Sequence, residues 1–318
     1  MTAAPESKLV SYLTDVHSIE EQALAQMRKA PDLAGDPEIA RVFSTHIAET
    51  ERHEKAIAAR LEAHGAEPST TKDVIAKVGA AAMLLFARLN PDTPGKLVVH
   101  AYSYEHLEMA SHEIVALAAE RANDHETAAT SRAIAAEERA MGERLAGVFD
   151  QAVDASLREL SPDDLREQVT KYLGDVYAIE TQALRLLEGG NALVGVPSLT
   201  QVFAAHRQET VAQRDRVEAR LTALGSSPNR LKSTALGLGG LNWGAIFGAQ
   251  PDTPAKLAGF AFAFEHLEIA GYELLARVAD RAGDPETASM AREIAGEERT
   301  AAAKVRATFA DAVDASVS

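Results

Sequence analysis

The chain has 318 residues, a formal net charge of −15 at pH 7 and no cysteine. The lack of cysteine excludes disulfides, cysteine-ligated zinc and iron–sulfur clusters. The acidic balance, without a block of lysine and arginine, argues against a nucleic-acid partner. The N-terminus has no signal-like pattern, and no run of about 18 apolar residues occurs. We therefore expect a cytoplasmic protein without a membrane partner.

Each half of the chain contains four long segments in which apolar residues recur at intervals of three and four, the period of an α-helix. In the first half these segments span residues 7–29, 37–64, 94–122 and 125–155. An Asp or Ser followed by proline is typical of a helix start, and glycine is typical of a helix end. The starts predicted in this way are at Asp36, Ser161 and Asp284, and the ends are at Gly65 and Gly225.

The second half repeats the first at an offset of 160 residues without a gap. Tyr12 aligns with Tyr172 and His46 with His206, and the Glu137-Glu138 pair has a counterpart as well. Repetition at this scale indicates two copies of one domain, which agrees with the number of domains expected from the length. We predict an all-α protein of two tandem four-helix bundles, with domains at residues 1–158 and 159–318.

The connection between the second and third predicted helices is long in both halves. Its length is typical of a crossover that joins helices running in the same direction. In the first half, residues 73–88 look helical; in the second, residues 232–250 are rich in glycine and contain the single tryptophan, Trp243. We expect the second segment to pack over its bundle or against the other half. Contact with a membrane or a hydrophobic partner is the alternative.

Acidic side chains interrupt the apolar stripe of every predicted helix at mid-length. Glu20 lies four residues after Val16 and four before Leu24, so it points into the bundle. The same reasoning selects candidates on the other helices. In the first half these are His46, Glu49, Glu105, Glu108 and one of Glu137 and Glu138. In the second half they are Glu180, His206, Glu209, Glu265, Glu268 and one of Glu297 and Glu298.

Buried carboxylates cost on the order of several kcal/mol unless a proton, an arginine or a metal ion compensates them. Two divalent cations would balance about four converging carboxylates, and carboxylate with imidazole is a ligand set that suits iron or manganese. One Glu from each of four helices, with added His, is also the arrangement of dinuclear carboxylate bundles. The sequence therefore predicts a dinuclear iron or manganese site in each half.

The chain resembles the YciF-type family of ferritin-like bacterial stress proteins. The resemblance rests on the segments YLTDVHSIEEQAL, HIAETERHEKAIAARL, YEHLEMASHEIVALAAE and IAAEERAMGERL and on their second copies. It implies a ferritin-like bundle, a di-metal centre formed by the acids and histidines above, and an association with oxidative or general stress. Ferritins and rubrerythrins use a Glu-x-x-His pattern, whereas this chain has the reverse order at His46 and Glu49.

Several alternatives remain open from the sequence. The acids could form a metal-free polar core with arginines present in both halves, in a structural or interaction protein; a further alternative is iron storage in a closed shell. No reaction is defined, and nothing argues against a homo-oligomer. His53 and His112 correspond to Gln213 and Tyr272 in the second half, so we expect that neither histidine is a required ligand.

Overall fold

The computed structural model describes residues 4–68, 93–191, 195–228 and 253–317. Within these ranges the secondary structure is helical and contains no strand. The chain divides into two compact units, residues 1–156 with 313–318, and residues 157–312. The prediction of an all-α protein built from tandem helical bundles is confirmed.

Among the residues that the structure describes, the first repeat forms four long helices and two short ones. They are α1 (Ala4–Met27), α2 (Ala30–Leu33), α3 (Pro37–Ala63), α4 (Thr93–Arg121), α5 (His125–Ala146) and α6 (Phe149–Leu157). The second repeat follows the same plan without a counterpart of α2 in the described residues. Its helices are α7 (Pro162–Asn191), α8 (Pro197–Ala223), α9 (Thr253–Arg281), α10 (Pro285–Arg306) and α11 (Phe309–Val317).

The predicted single helix over residues 125–155 is wrong, because α5 ends at Ala146 and α6 begins at Phe149. At the break the backbone makes a hydrogen bond three residues apart in place of the α-helical four, from the Val148 amide to the Leu145 carbonyl at 3.1 Å. The second half breaks at the equivalent place, before Phe309, although alanine replaces glycine there. Burial of Phe149 and Phe309 accompanies the break in each half, so glycine is not its common cause.

The predicted helix boundaries follow the capping chemistry. Asp36 accepts a hydrogen bond from the Glu38 amide at 2.8 Å, and Asp284 accepts one from the Thr287 amide at 3.1 Å. Gly65 has a φ of 67°, a left-handed conformation that glycine adopts without steric cost. These local signals place the ends of α3 and the start of α10 where the sequence predicts them.

Contacts along the bundle define the helix directions in the first unit. His100 near the start of α4 lies 3.0 Å from Gln26 near the end of α1, and Tyr104 donates to the Ile19 carbonyl at 3.1 Å. Helices α1 and α4 are therefore antiparallel. His17 of α1 contacts Glu54 of α3, as expected for an antiparallel pair joined by a short connection.

Because α3 and α4 are both antiparallel to α1, they run in the same direction. The predicted crossover agrees with these directions. The predictions for residues 73–88, residues 232–250 and Trp243 fall outside the described residues. Among the helices that are described, none is both long and apolar enough to cross a lipid bilayer.

Candidate metal centre

Polar side chains from all four long helices of the first unit meet in its interior. The helical period places the members from one helix on a common face: His46 and His53 are two turns apart on α3, and α4 presents a trio at intervals of three and four residues. Each of these side chains is at most 3% exposed. They are Glu20, His46, His53, Glu105, Glu108, His112 and Glu138.

The first cluster consists of His46, Glu105 and Glu138. Nε2 of His46 lies 3.1 Å from Glu105 Oε2 and 3.2 Å from Glu138 Oε2. Neither contact has hydrogen-bond geometry, so these atoms converge without satisfying one another. The other ring nitrogen of His46, Nδ1, lies 2.7 Å from Oε2 of Glu49. Glu49 therefore orients the ring so that Nε2 faces the two buried acids.

The second cluster consists of Glu20, His53 and Glu138. Nδ1 of His53 lies 2.6 Å from Glu138 Oε1 and 4.0 Å from Glu20 Oε2. Its Nε2 atom lies 2.9 Å from Oε2 of Glu137 at the edge of the bundle. Glu138 thus presents Oε2 to the first cluster and Oε1 to the second. This carboxylate joins the two clusters.

Two further residues complete the interior of the first unit. Nε2 of His112 lies 2.8 Å from Oε1 of Glu20. Glu108 is fully buried, and neither of its carboxyl oxygens has a hydrogen-bond partner. Both oxygens of Glu105 and of Glu138 also lack such a partner. Buried polar atoms are nearly always satisfied in native proteins, so this concentration of unsatisfied oxygens requires a compensating proton or cation.

The pKa values of the buried acids reflect a balance between burial and the charges of their neighbours. Burial raises the pKa of Glu20 and of Glu108 well above the usual value, and the neighbouring Glu138 adds to both shifts. Burial also raises the pKa of Glu105 to about 8, although His46 opposes the change. Burial has the same tendency at Glu138, but the close rings of His46 and His53 outweigh it and hold that pKa below its usual value.

Burial tends to lower the pKa of a histidine, and neighbouring acids tend to raise it. Burial disfavours the protonated form of His46, but Glu105 and Glu138 outweigh it and raise the His46 pKa to about 11. Burial acts likewise on His53, and Glu138 raises its pKa to about 9. Burial lowers the pKa of His112 to about 4, and Glu138 only partly opposes this shift. Without a metal ion, His46 and His53 are therefore cations that neutralise part of the acidic interior.

The residues of both clusters in the first unit have the ligand types and the spacing that a metal ion requires. In each cluster one ligand atom per residue can be chosen so that all chosen atoms lie within 4.8 Å of one another. Ligand atoms that bind one ion at about 2 Å lie up to about 4 Å apart, so small side-chain rotations would bring them to an ion. Carboxylate and imidazole ligands suit first-row metals such as iron and manganese. A bound cation would replace the protons that the acids and imidazoles otherwise hold.

Among its described residues, the second unit forms one cluster, composed of His206, Glu265, Glu268 and Glu298. Nε2 of His206 lies 2.8 Å from Glu265 Oε2 and 3.5 Å from Glu298 Oε2. Neither oxygen of Glu268 or Glu298 has a hydrogen-bond partner. All four residues are buried, and their chosen ligand atoms lie within 4.8 Å of one another.

The positions of His53 and His112 differ in the second unit. The phenolic hydroxyl of Tyr272 donates a hydrogen bond to Oε1 of Glu180, and Gln213 Nε2 donates to Oε2 of Glu297 at 3.0 Å. Burial raises the pKa of Glu298 well above its usual value, with Glu268 adding to the shift. The equivalent Glu138 shows the opposite shift. The neutral Gln213 cannot supply the charge that His53 gives to Glu138.

The predicted site residues separate into buried and peripheral groups. Within each adjacent acidic pair, Glu138 and Glu298 point inwards, whereas the side chains of Glu137 and Glu297 are 45% and 44% exposed. Glu49 pairs with Arg144 at 3.1 Å, and Glu209 pairs with Lys304 at 3.1 Å. The structure thus brings Glu20, His46, Glu105, Glu108 and Glu138 together in the first unit. In the second unit it brings together His206, Glu265, Glu268 and Glu298, with Glu180 buried outside this cluster, while the other predicted ligands line the margin.

The histidines set aside by the comparison of the two halves belong to the interior of the first unit. His53 contacts Glu20 and Glu138, and His112 contacts Glu20. The seven-residue spacing of His46 and His53 is a sequence signal that both share one helix face. The absence of a histidine at Gln213 and Tyr272 reflects a difference between the units and does not indicate that His53 is peripheral.

The arginines proposed for a metal-free polar core lie elsewhere. Arg60 binds Thr127 and Asp124, whereas Arg132 and Arg139 pair with acids at exposed positions of the bundle. The equivalent arginines of the second unit make corresponding contacts, with Asp284, Asp280 and Glu273. In the described ranges, therefore, these guanidinium groups do not compensate the buried acids.

The fold and the interior clusters define a protein of tandem helical bundles with buried carboxylate–imidazole sites. Both halves match a single protein-family model, described as Domain of unknown function (DUF892), at residues 4–158 and 164–318. The chain belongs to this family and carries two copies of its domain. No curated protein matches the chain, and no solved structure matches it.

Proposed function

We propose that this chain is a metal-binding protein whose interior clusters hold iron or manganese. The observation that carries the proposal is the set of fully buried carboxyl oxygens without hydrogen-bond partners, present in both units beside an imidazole nitrogen. A protein gains no stability from such atoms unless a proton or a cation satisfies them. Their retention in both copies supports a binding role.

In the first unit, His46, Glu105 and Glu138 would hold one ion, and Glu20, His53 and Glu138 would hold a second. Glu49 positions His46 through the 2.7 Å contact at Nδ1, and Arg144 holds Glu49 in place. The surrounding apolar core excludes bulk water from the acids. When bound, iron or manganese would supply redox chemistry towards oxygen or peroxide.

The resemblance to YciF-type ferritin-like proteins supports a role in oxidative or general stress. It is compatible with a cytoplasmic protein in which residues 1–158 and 159–318 act as two metal-binding domains. The redox role follows from the ligand types and from the resemblance. The metal-binding role follows from the interior of each unit, independently of the reaction.

A metal-free core is the second candidate. It is favoured by the opposite pKa shifts of His46 and Glu138, because a buried imidazolium and a carboxylate stabilise each other without an ion. In that case the interior would be a hydrogen-bonded network in a structural or interaction protein. It leaves the oxygens of Glu268, a member of the second unit's cluster, without a partner that a bound ion would supply, which is why metal binding is the better account.

Elemental analysis tests the proposal directly. The protein is purified without added metal or chelator, beside the double variant Glu138→Gln, Glu298→Gln and the matched control Glu137→Gln, Glu297→Gln. We expect iron or manganese in the wild type and the control, and its loss from the inward-facing variant. A wild-type protein that remains metal-free after incubation with ferrous iron and with Mn²⁺ would contradict the proposal.

A further inference from the structure

We infer that the two halves hold different numbers of metal ions, two in the first unit and one in the second. The inference rests on the proposed metal-binding function and concerns its distribution within the chain. It depends on Gln213 and Tyr272, which occupy the positions of His53 and His112. Reactions that require two adjacent metal ions would then take place only in the first unit.

The first unit has separate ligands for two ions. One cluster contains His46 with Glu105, and the other contains His53 with Glu20, so each has its own imidazole and its own carboxylate. Glu138 contributes an oxygen to both clusters, through Oε2 near His46 and Oε1 near His53. A carboxylate that serves two clusters can bridge two ions.

The second unit lacks one of these positions in its described residues. Gln213 directs its amide nitrogen to Glu297 at 3.0 Å and offers no imidazole. The hydroxyl of Tyr272 donates to Oε1 of Glu180, which engages that carboxyl group. Glu180 is fully buried and lies outside the cluster of the second unit.

The remaining ligands of the second unit gather around a single point. Glu265, Glu268 and Glu298 converge with His206, and all four belong to one cluster. In the first unit the equivalent Glu108 belongs to neither cluster, although it is equally buried. The second unit thus concentrates its ligands, whereas the first distributes them over two positions joined by Glu138.

Exchange of the two differing residues between the units provides the test. The variant His53→Gln, His112→Tyr gives the first unit the residues of the second, and Gln213→His, Tyr272→His gives the second unit the residues of the first. Each full-length protein is stripped of metal and incubated anaerobically with excess ferrous iron. It is then separated by gel filtration, and iron per chain is measured by elemental analysis.

We expect three ions per wild-type chain, a loss of one in the first variant and a gain of one in the second. Four ions in the wild type with no change in either variant would overturn the inference and leave the proposed function intact. No bound iron in any of the proteins would overturn the proposed function itself.

A second measurement does not depend on the exchanged residues. Glu138→Gln removes the carboxylate shared by two clusters, whereas Glu298→Gln removes one ligand of a single cluster. We expect the first substitution to remove two ions per chain and the second to remove one, in proteins whose circular dichroism matches the wild type. Equal losses from the two variants would overturn the inference even if an exchange variant fails to fold.

Discussion

Tyr272 donates a buried hydrogen bond to Glu180, linking α9 to α7 in the interior of the second unit. The pKa of Tyr272 is raised well above its usual value by burial and by Glu180, so the hydroxyl keeps its proton at neutral pH. Removal of this donor leaves a buried carboxyl oxygen without its partner. The contact therefore contributes to stability in the metal-free protein.

Substitution Tyr272→Phe should lower the free energy of unfolding of the metal-free protein by about 1–3 kcal/mol, because a buried acceptor that loses its donor costs this much. Tyr177→Phe is the control, because its hydroxyl makes a long, exposed contact of 3.4 Å with Glu218. The control should cost less than about 0.5 kcal/mol. Urea denaturation measures both, and equal effects of the two substitutions would contradict the account.

Glu49 acts on the metal through His46 in this account. Substitution Glu49→Gln should weaken iron binding in the first unit by about 10- to 100-fold while the number of ions at saturation stays the same. Glu209→Gln should have a smaller effect, since the corresponding contact with His206 Nδ1 is longer, at 3.2 Å. Anaerobic iron titration separates affinity from stoichiometry. A lower saturating number for Glu49→Gln would instead identify Glu49 as a direct ligand.

Glu268 illustrates a conflict between stability and binding. It is 1% exposed and neither oxygen has a partner, so Glu268→Met should raise the stability of the metal-free protein by about 1–3 kcal/mol. The same variant should bind less iron. Glu273→Met on the same helix is the control, because Glu273 pairs with Arg277 and Arg299 and gives no such gain. Destabilisation of the metal-free protein by Glu268→Met would indicate that this acid supports the fold.

Asp124 links the start of α5 to the end of α3. It accepts a hydrogen bond from the Thr127 amide at 3.0 Å and lies 2.8 Å from His64 Nε2 and 3.3 Å from Arg60. Burial opposes ionisation, but Thr127, His64 and Arg60 outweigh it and hold the Asp124 pKa below its usual value. A depressed carboxyl pKa in the folded state stabilises the fold above the unfolded-state pKa, and this contribution is lost as the pH falls through the folded-state pKa.

Substitution Asp124→Asn keeps a capping oxygen and removes the charge. We expect it to lower the free energy of unfolding by about 1–2 kcal/mol at pH 7, with the deficit shrinking as the pH falls below about 4, the unfolded-state pKa of Asp. Denaturation at a series of pH values measures the change. Asp284→Asn should behave in the same way, because Asp284 makes equivalent contacts with Thr287 and Arg220. A deficit that is constant between pH 7 and pH 2 would contradict this role.

The helical architecture and the inward position of Glu20 could be predicted because an α-helix has a fixed period, so a residue within the apolar stripe must face the core. The choice between Glu137 and Glu138 could not be made in this way. Consecutive residues differ by only about 100° around the helix, and both lie near the edge of the stripe. In the assembled bundle Glu138 faces His46 and His53 in the interior, whereas Glu137 lies at the edge beside Arg52.

The position of Glu49 shows a second limit. Its backbone lies close to the apolar seam, but its flexible side chain extends to Arg144, a residue 95 positions later in the chain. Such a partner can be found only when the helices are assembled. His53 shows a third limit. A comparison of the two repeats identifies residues that both units share, so it does not select a residue such as His53 that faces the interior in one unit and is replaced by Gln213 in the other.

X-ray diffraction recorded on either side of the iron absorption edge, from crystals grown anaerobically with ferrous iron, tests metal binding most directly. We predict two anomalous peaks in the first unit, joined by Glu138, and one peak between His206, Glu265, Glu268 and Glu298. Absence of anomalous density at all of these positions, with the acids hydrogen-bonded to their neighbours, would contradict metal binding.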